Sequence, residues 1–178
     1  MPRYVAFLRA INVGGHTVKM ATLRGLFEQA GLTGVETVIA SGNVLFESAS
    51  RDTPALERRI EAFLRKGLGY EVATFVRTPA EIAAIARAEP FADAAAGAVH
   101  AIYVGFLPNA PDAETIRRFE ASGTPDDLLR VVGREAWWLC RKRFSESTLS
   151  GAHLEKTLGM PATVRNRTTV TKLAARFT

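Results

Sequence analysis

Apolar side chains recur along this chain in two rhythms, one suited to strands and one to helices. Residues 4–8 form a short β-favouring apolar run, which a glycine pair follows; Met20, Leu23, Leu26, Phe27 and Ala30 then recur at helical spacing until Gly31. Residues 35–39 and 44–46 are β-rich runs on either side of Ala40-Ser41-Gly42-Asn43, a composition that predicts a tight reversal between antiparallel strands. Pro54 suits a first helical turn, Leu56, Ile60, Phe63 and Leu64 continue the pattern, and Gly67 and Gly69 mark its stop. Residues 72–76 add a fourth strand, so the first half reads βαββαβ.

The order then repeats. Residues 101–107 read as a strand, 113–121 as a helix, 128–132 and 136–140 as strands about Gly133, 149–158 as a helix and 162–164 as a short strand. Residues 79–88 predict a linking helix, residues 170–177 a last one, and the small-residue stretch EPFADAAAGA suits a boundary near residue 95. The expected fold class is α+β: two ferredoxin-like βαββαβ halves, 1–95 and 96–178, with a linking helix and an extra final helix.

This topology makes strands one and two of each half parallel, with the third antiparallel between them. The loop Ile11-Asn12-Val13-Gly14-Gly15-His16 and the turn Ser41-Gly42-Asn43 are therefore expected on one edge of the first half. In the second half the same reasoning brings Arg141-Lys142-Arg143 and Arg165-Asn166-Arg167 to one edge. Both faces of the first strand are apolar, with Tyr4, Ala6 and Leu8 against Val5 and Phe7, which argues against an open sheet that stacks bases.

The 178 residues, 47% apolar and 23% charged, describe an ordinary globular chain and exclude collagen, a disordered tail and a disulfide-held mini-protein. No apolar run approaches 18 residues and the first residues lack a cleavage pattern, so neither a membrane span nor a signal peptide is expected and the cytoplasm is the expected location. A lone cysteine, Cys140, agrees with a reducing compartment. The net charge of +5 is uneven: residues 1–133 hold 14 Lys and Arg against 15 Asp and Glu, residues 134–178 hold 9 against 3. Such a basic quarter can attract phosphates or nucleic acid, or serve as a solvated face.

Candidate chemistry gathers on the first edge. Gly14 and Gly15 lie between a strand and a helix, where backbone N–H groups can cradle an anion, yet neither the dinucleotide nor the ATP-binding fingerprint is met; a sharp turn needing positive φ is the competing reading. Arg9 follows the first strand and can grip a phosphate or carboxylate with its planar fork, or bridge to Glu36 or Glu47. His16 can serve as a base or an anion donor, whereas His100 and His153 read as structural, and three scattered histidines give no metal spacing. Ser41, Gly42 and Asn43 make turns in any case, and Ser41 sits in no nucleophile elbow. Cys140 reads as a small buried hydrophobe.

Three stretches, YVAFLRAINVGGHTVKM, VIASGNVLFES and ATVRNRTTVTKL, resemble the DUF1697 family of bacterial proteins of unknown function, and the likeness runs from Tyr4 to Leu173. The resemblance implies a two-part α/β arrangement of ferredoxin-like halves and no established activity. By position it implicates Leu8, Arg9, Ile11, Asn12, Val13, Gly14 and Gly15, then Ser41, Gly42 and Asn43, then Thr163, Arg165, Asn166, Thr168 and Leu173 as a functional surface. Ala10, Ala40, Thr148 and Arg167 depart from the family pattern, two of them by removing polar groups.

Two expectations of function follow, with a non-catalytic structural role as the third. The first is a site for a phosphate-bearing small molecule or nucleotide built from Arg9, Asn12, Gly14, Gly15, His16, Ser41, Gly42, Asn43, Arg165 and Asn166. The second is a nucleic-acid-binding module that uses the basic last quarter. No cofactor is implied, and no acid, base and nucleophile can be assigned together.

Overall fold

A computed structural model describes the whole chain apart from residues 12–16, 40–41, 95–96 and 143–148. It divides into two units, one formed by Met1–Ala83 with Leu173–Thr178 and the other by Ala84–Lys172.

The first unit begins with β1 (Arg3–Leu8), α1 (Met20–Gln29), β2 (Thr33–Thr37), β3 (Asn43–Glu47), α2 (Thr53–Leu68) and β4 (Thr74–Arg77), and α3 (Pro79–Arg87) follows. Its four strands take the order β2-β3-β1-β4, with every neighbouring pair antiparallel. Strands β1 and β2 are thus parallel across β3, as the ferredoxin-like topology requires. Tyr4, Ala6 and Leu8 of β1 join Leu23, Phe27, Leu56, Ile60 and Leu64 from the two helices in one apolar core. Asp52 caps α2 by accepting from Ala55 N at 3.0 Å, Pro54 occupies its first turn, and left-handed Gly69 ends it.

The second unit holds β5 (Ala101–Phe106), α4 (Ala113–Ala121), β6 (Asp127–Val132), β7 (Glu135–Cys140), α5 (Gly151–Leu158) and β8 (Thr163–Asn166), and α6 (Arg167–Ala175) ends the chain. The strand order is β6-β7-β5-β8, the same arrangement again and again antiparallel throughout. Phe119, Leu129, Trp138, Leu154 and Leu158 anchor its core. Trp137 and Trp138 alternate on β7, and both are buried. The Trp138 indole N–H donates to the buried Asp127 carboxylate at 2.8 Å, and Thr124 Oγ1 donates to its other oxygen at 3.3 Å.

All fourteen expected elements are present among the described residues, with some ends displaced. Strand β2 starts earlier than its apolar run and stops at Thr37, because Ile39 turns into the left-handed region at φ +49°. A register irregularity between Thr33 and Glu36 uses the extra residues at its start. Both faces of β1 are buried from Tyr4 to Leu8, as its two-sided apolar pattern predicts.

Candidate functional site

The first expected edge is built where β1 gives way to its loop. Strand β1 ends at Leu8, whose N–H donates to Gly42 O at 2.8 Å, and Arg9 N still bonds Ala73 O at 3.0 Å. The Arg9 side chain is exposed, Ala10 takes φ +53°, and Ile11 turns back into the core. Gly42, at φ +80°, packs so closely on this bend that a Cβ there would stand 2.9 Å from Ile11 Cγ2 and 3.0 Å from Leu8 Cβ. Only glycine meets both the conformation and the space.

Asn43 fixes the other side. It is buried, donates from Nδ2 to Ile39 O at 2.9 Å, and its carbonyl accepts from Val38 N at 2.9 Å. The turn therefore holds its shape from inside, with Ile39 displayed at 44% exposure. Beside it lies a recess of about 180 Å³ lined by Met20, Leu23, Thr37, Val38, Ile39, Gly42 and Asn43. Asn12, Gly14, Gly15, His16 and Ser41 of the expected site lie outside the described residues. Of the two bridging partners suggested for Arg9, Glu36 is bonded by Arg176.

Arg165 and Asn166 belong to the second unit. Arg165 is buried in β8; its Nη1 donates to Thr163 Oγ1 at 2.7 Å and to Val164 O at 3.0 Å, and burial lowers its pKa to about 10. Asn166 precedes α6 and accepts from Thr168 N at 2.9 Å through Oδ1, a helix-capping bond. It also borders a recess of about 260 Å³ with His100, Ala101, Ile102, Arg167, Thr168 and Thr171, which the sequence did not reveal because His100 reads as an ordinary strand-entry residue.

Arg141, Lys142 and Arg167 of the last quarter are engaged as well, while Arg143 lies outside the described residues. Arg141 donates from Nε to Pro125 O and from Nη1 to Ala98 O, each at 3.2 Å, and Lys142 pairs with Asp126 at 3.1 Å. Arg167 pairs with Glu89 at 3.2 Å and lies over the Trp137 ring at 5.9 Å. His153 Nε2 meets Ser122 Oγ at 3.0 Å, a structural contact between α5 and the end of α4. Cys140 is buried, its Sγ donates to Lys142 O at 2.7 Å, and desolvation pushes the thiol pKa up. A thiol held this way is a poor nucleophile. Among the described residues, no group of three or more His, Cys, Asp or Glu could hold a metal ion, and no helix is long and apolar enough to cross a membrane.

The sequence profile of DUF1697, a protein of unknown function, matches residues 1–137. The chain belongs to the DUF1697 family. A solved structure of a conserved bacterial protein from Streptococcus pneumoniae is similar to this DUF1697 chain with a TM-score of 0.75 and 24% identity, covering 99% of each chain. That likeness speaks to the fold. No curated protein matches the chain.

Proposed function

We propose that this DUF1697 protein binds a small phosphate-bearing molecule at the end of β1. Arg9, Asn12, Gly14, Gly15 and His16 contribute from one side, and Ser41, Gly42 and Asn43 from the other. The observation that carries the reading is the 2.8 Å hydrogen bond from Leu8 N to Gly42 O, with Gly42 seated against Leu8 and Ile11. It supports a common site because it joins the roots of two segments rich in glycine and short polar groups. Arg9 stands next to that junction, exposed, with a fork suited to phosphate oxygens. The neighbouring recess, walled by Met20, Leu23, Val38 and Ile39, offers room for an apolar part of the ligand. Arg165 and Asn166 serve this reading less directly, since one is buried against Thr163 and the other caps α6.

Thermal melting with inorganic phosphate, pyrophosphate and nucleoside phosphates tests the proposal. A specific ligand at a hundred times its Kd stabilises the protein by about 2.7 kcal/mol. The parent is expected to show a saturable upward shift that Arg9→Ala loses. Absence of a shift in the parent, or an equal shift in the variant, refutes the assignment. The nucleic-acid reading draws less support, because Arg141, Lys142 and Arg167 already bond carbonyl or carboxylate oxygens.

A further inference from the structure

Residues 51–66 carry five cations, Arg51, Arg58, Arg59, Arg65 and Lys66, against three carboxylates, Asp52, Glu57 and Glu61. The segment looks nearly balanced in sequence, but the fold sorts the two signs. The Asp52 carboxylate is spent on capping α2, where it accepts from Ala55 N at 3.0 Å. Glu57 is buried, its Oε2 accepting from Val76 N of β4 at 3.2 Å, and Glu61 is half-buried. All five cations are exposed. Arg65 meets Glu71 at 3.4 Å, but both side chains of that pair stand mostly in water, so it is easily exchanged for another anion. The side chains of Arg51, Arg58, Arg59 and Lys66 form no ion pair or hydrogen bond among the described residues.

Helical spacing gives this face a pattern. Arg58 and Arg65 are seven residues apart, as are Arg59 and Lys66, so they form two rows, each spanning about 10 Å along the axis. Ala55 and Ala62 lie between the rows, while Leu56, Ile60 and Leu64 are turned into the core. With no large apolar side chain, the face has nothing to bury in lipid. Phe63 packs against the core, so no ring is offered for stacking on the bases of a single strand. Four of the five cations are arginine, whose planar fork suits phosphate oxygens.

We propose that the outer face of α2 docks on double-stranded DNA, with one cationic row on each wall of the major groove and the alanines between them. A helix with its side chains is about 10–12 Å across and the B-form major groove about 12 Å wide, whereas the major groove of double-stranded RNA is too narrow to admit it. Helix α1 stands beside α2, so close that Gly67 leaves no room for a Cβ next to Leu26. Helix α2 therefore seats at the mouth of the groove and meets phosphates rather than base edges. Contact of that kind is indifferent to base sequence and sensitive to salt. The surface uses none of the basic residues of the last quarter and none of the anion site, so failure of one reading leaves the other standing.

Fluorescence anisotropy of a short labelled DNA duplex of mixed sequence, titrated with the full chain, tests the proposal. Affinity should fall about a hundred-fold between 50 and 200 mM salt, the loss for four phosphate contacts at a slope of about −0.9 each. Arg58→Ala/Arg65→Ala should weaken binding about ten-fold or more at the lower salt and flatten the slope by about two contacts. Arg117→Ala/Lys156→Ala, which removes the same charge from exposed positions of the second unit, should bind like the parent. Ala62→Glu, which sets a carboxylate between the rows, should abolish binding. A parent that does not bind the duplex at the lower salt overturns the proposal, as does an equal loss in the second-unit pair. Equal affinity for single-stranded DNA, for double-stranded RNA or for vesicles of anionic lipid overturns it too. Should the α2 alanine pair fail to fold by circular dichroism, Ala62→Glu decides, with unchanged binding in that variant counting as refutation.

Discussion

Gly42→Ala perturbs the junction of β1 and the β2–β3 turn at its tightest point. The new Cβ would lie 2.9 Å from Ile11 Cγ2, 3.0 Å from Leu8 Cβ and 3.2 Å from the Leu8 carbonyl oxygen, in a residue held at φ +80°. Holding an alanine in the left-handed region costs about 1–2 kcal/mol. Forcing extra volume against packed neighbours costs about 1–3 kcal/mol more, because Ile11 and Leu8 are 2% and 1% exposed and part of the core. The sum is about 2–5 kcal/mol, a large share of the stability of an ordinary domain. Gly69 supplies the control: it has φ +85° and nothing within 4 Å of the place a methyl group would take, so Gly69→Ala bears the conformational cost alone. Urea denaturation followed by far-ultraviolet circular dichroism reads both variants. Gly42→Ala should be less stable than Gly69→Ala by about 1–3 kcal/mol. Equal losses in the two would refute the claim that the loop root and the turn are locked by contact.

Two further substitutions test separate parts of the structure. Trp138→Phe removes the indole N–H that donates to buried Asp127 at 2.8 Å, and should cost about 1.5–3 kcal/mol in urea denaturation, with a loss under about 0.5 kcal/mol counting against that bond. Glu61 has its pKa raised above 4.5 by burial first, then by the charges of Glu57 and Glu71, against an opposing backbone bond from Thr74. Arg65, paired with Glu71 at 3.4 Å, is the cation beside them. A raised folded pKa means the protonated form favours folding, a contribution complete below the unfolded value and lost as pH rises through the folded one. Glu61→Gln should therefore gain stability over the parent near pH 7 and lose that gain below pH 4.5, and a difference that does not change across a pH series of urea midpoints refutes it.

The sequence carries the fold well because its signals are local. Asp52, Pro54 and Gly69 announce both ends of α2, and short β-favouring apolar runs mark the strands. The meeting of Leu8 with Gly42 then follows from strand order. What escapes is set by specific contacts that composition and apolar periodicity do not encode. Ile39 belongs by composition to a strand, but Asn43 holds its carbonyl and the backbone turns away. Glu57 looks like any polar helix position until β4 arrives with an amide to be satisfied. Part of the excess charge of the last quarter is matched by Asp126 and Glu89, remote in the chain, which stand beside Lys142 and Arg167.

The tryptophan pair of β7 gives the molecule an uneven optical voice. Trp137, Trp138 and the lone thiol of Cys140 all reside in the second unit, whereas the first has only Tyr4 and Tyr70 as indole-free chromophores of note. Indole emission and thiol labelling accordingly report when the second unit opens, and circular dichroism reports both. Overlaying the two melting curves turns a chance distribution of aromatic residues into a direct measure of whether the halves let go together.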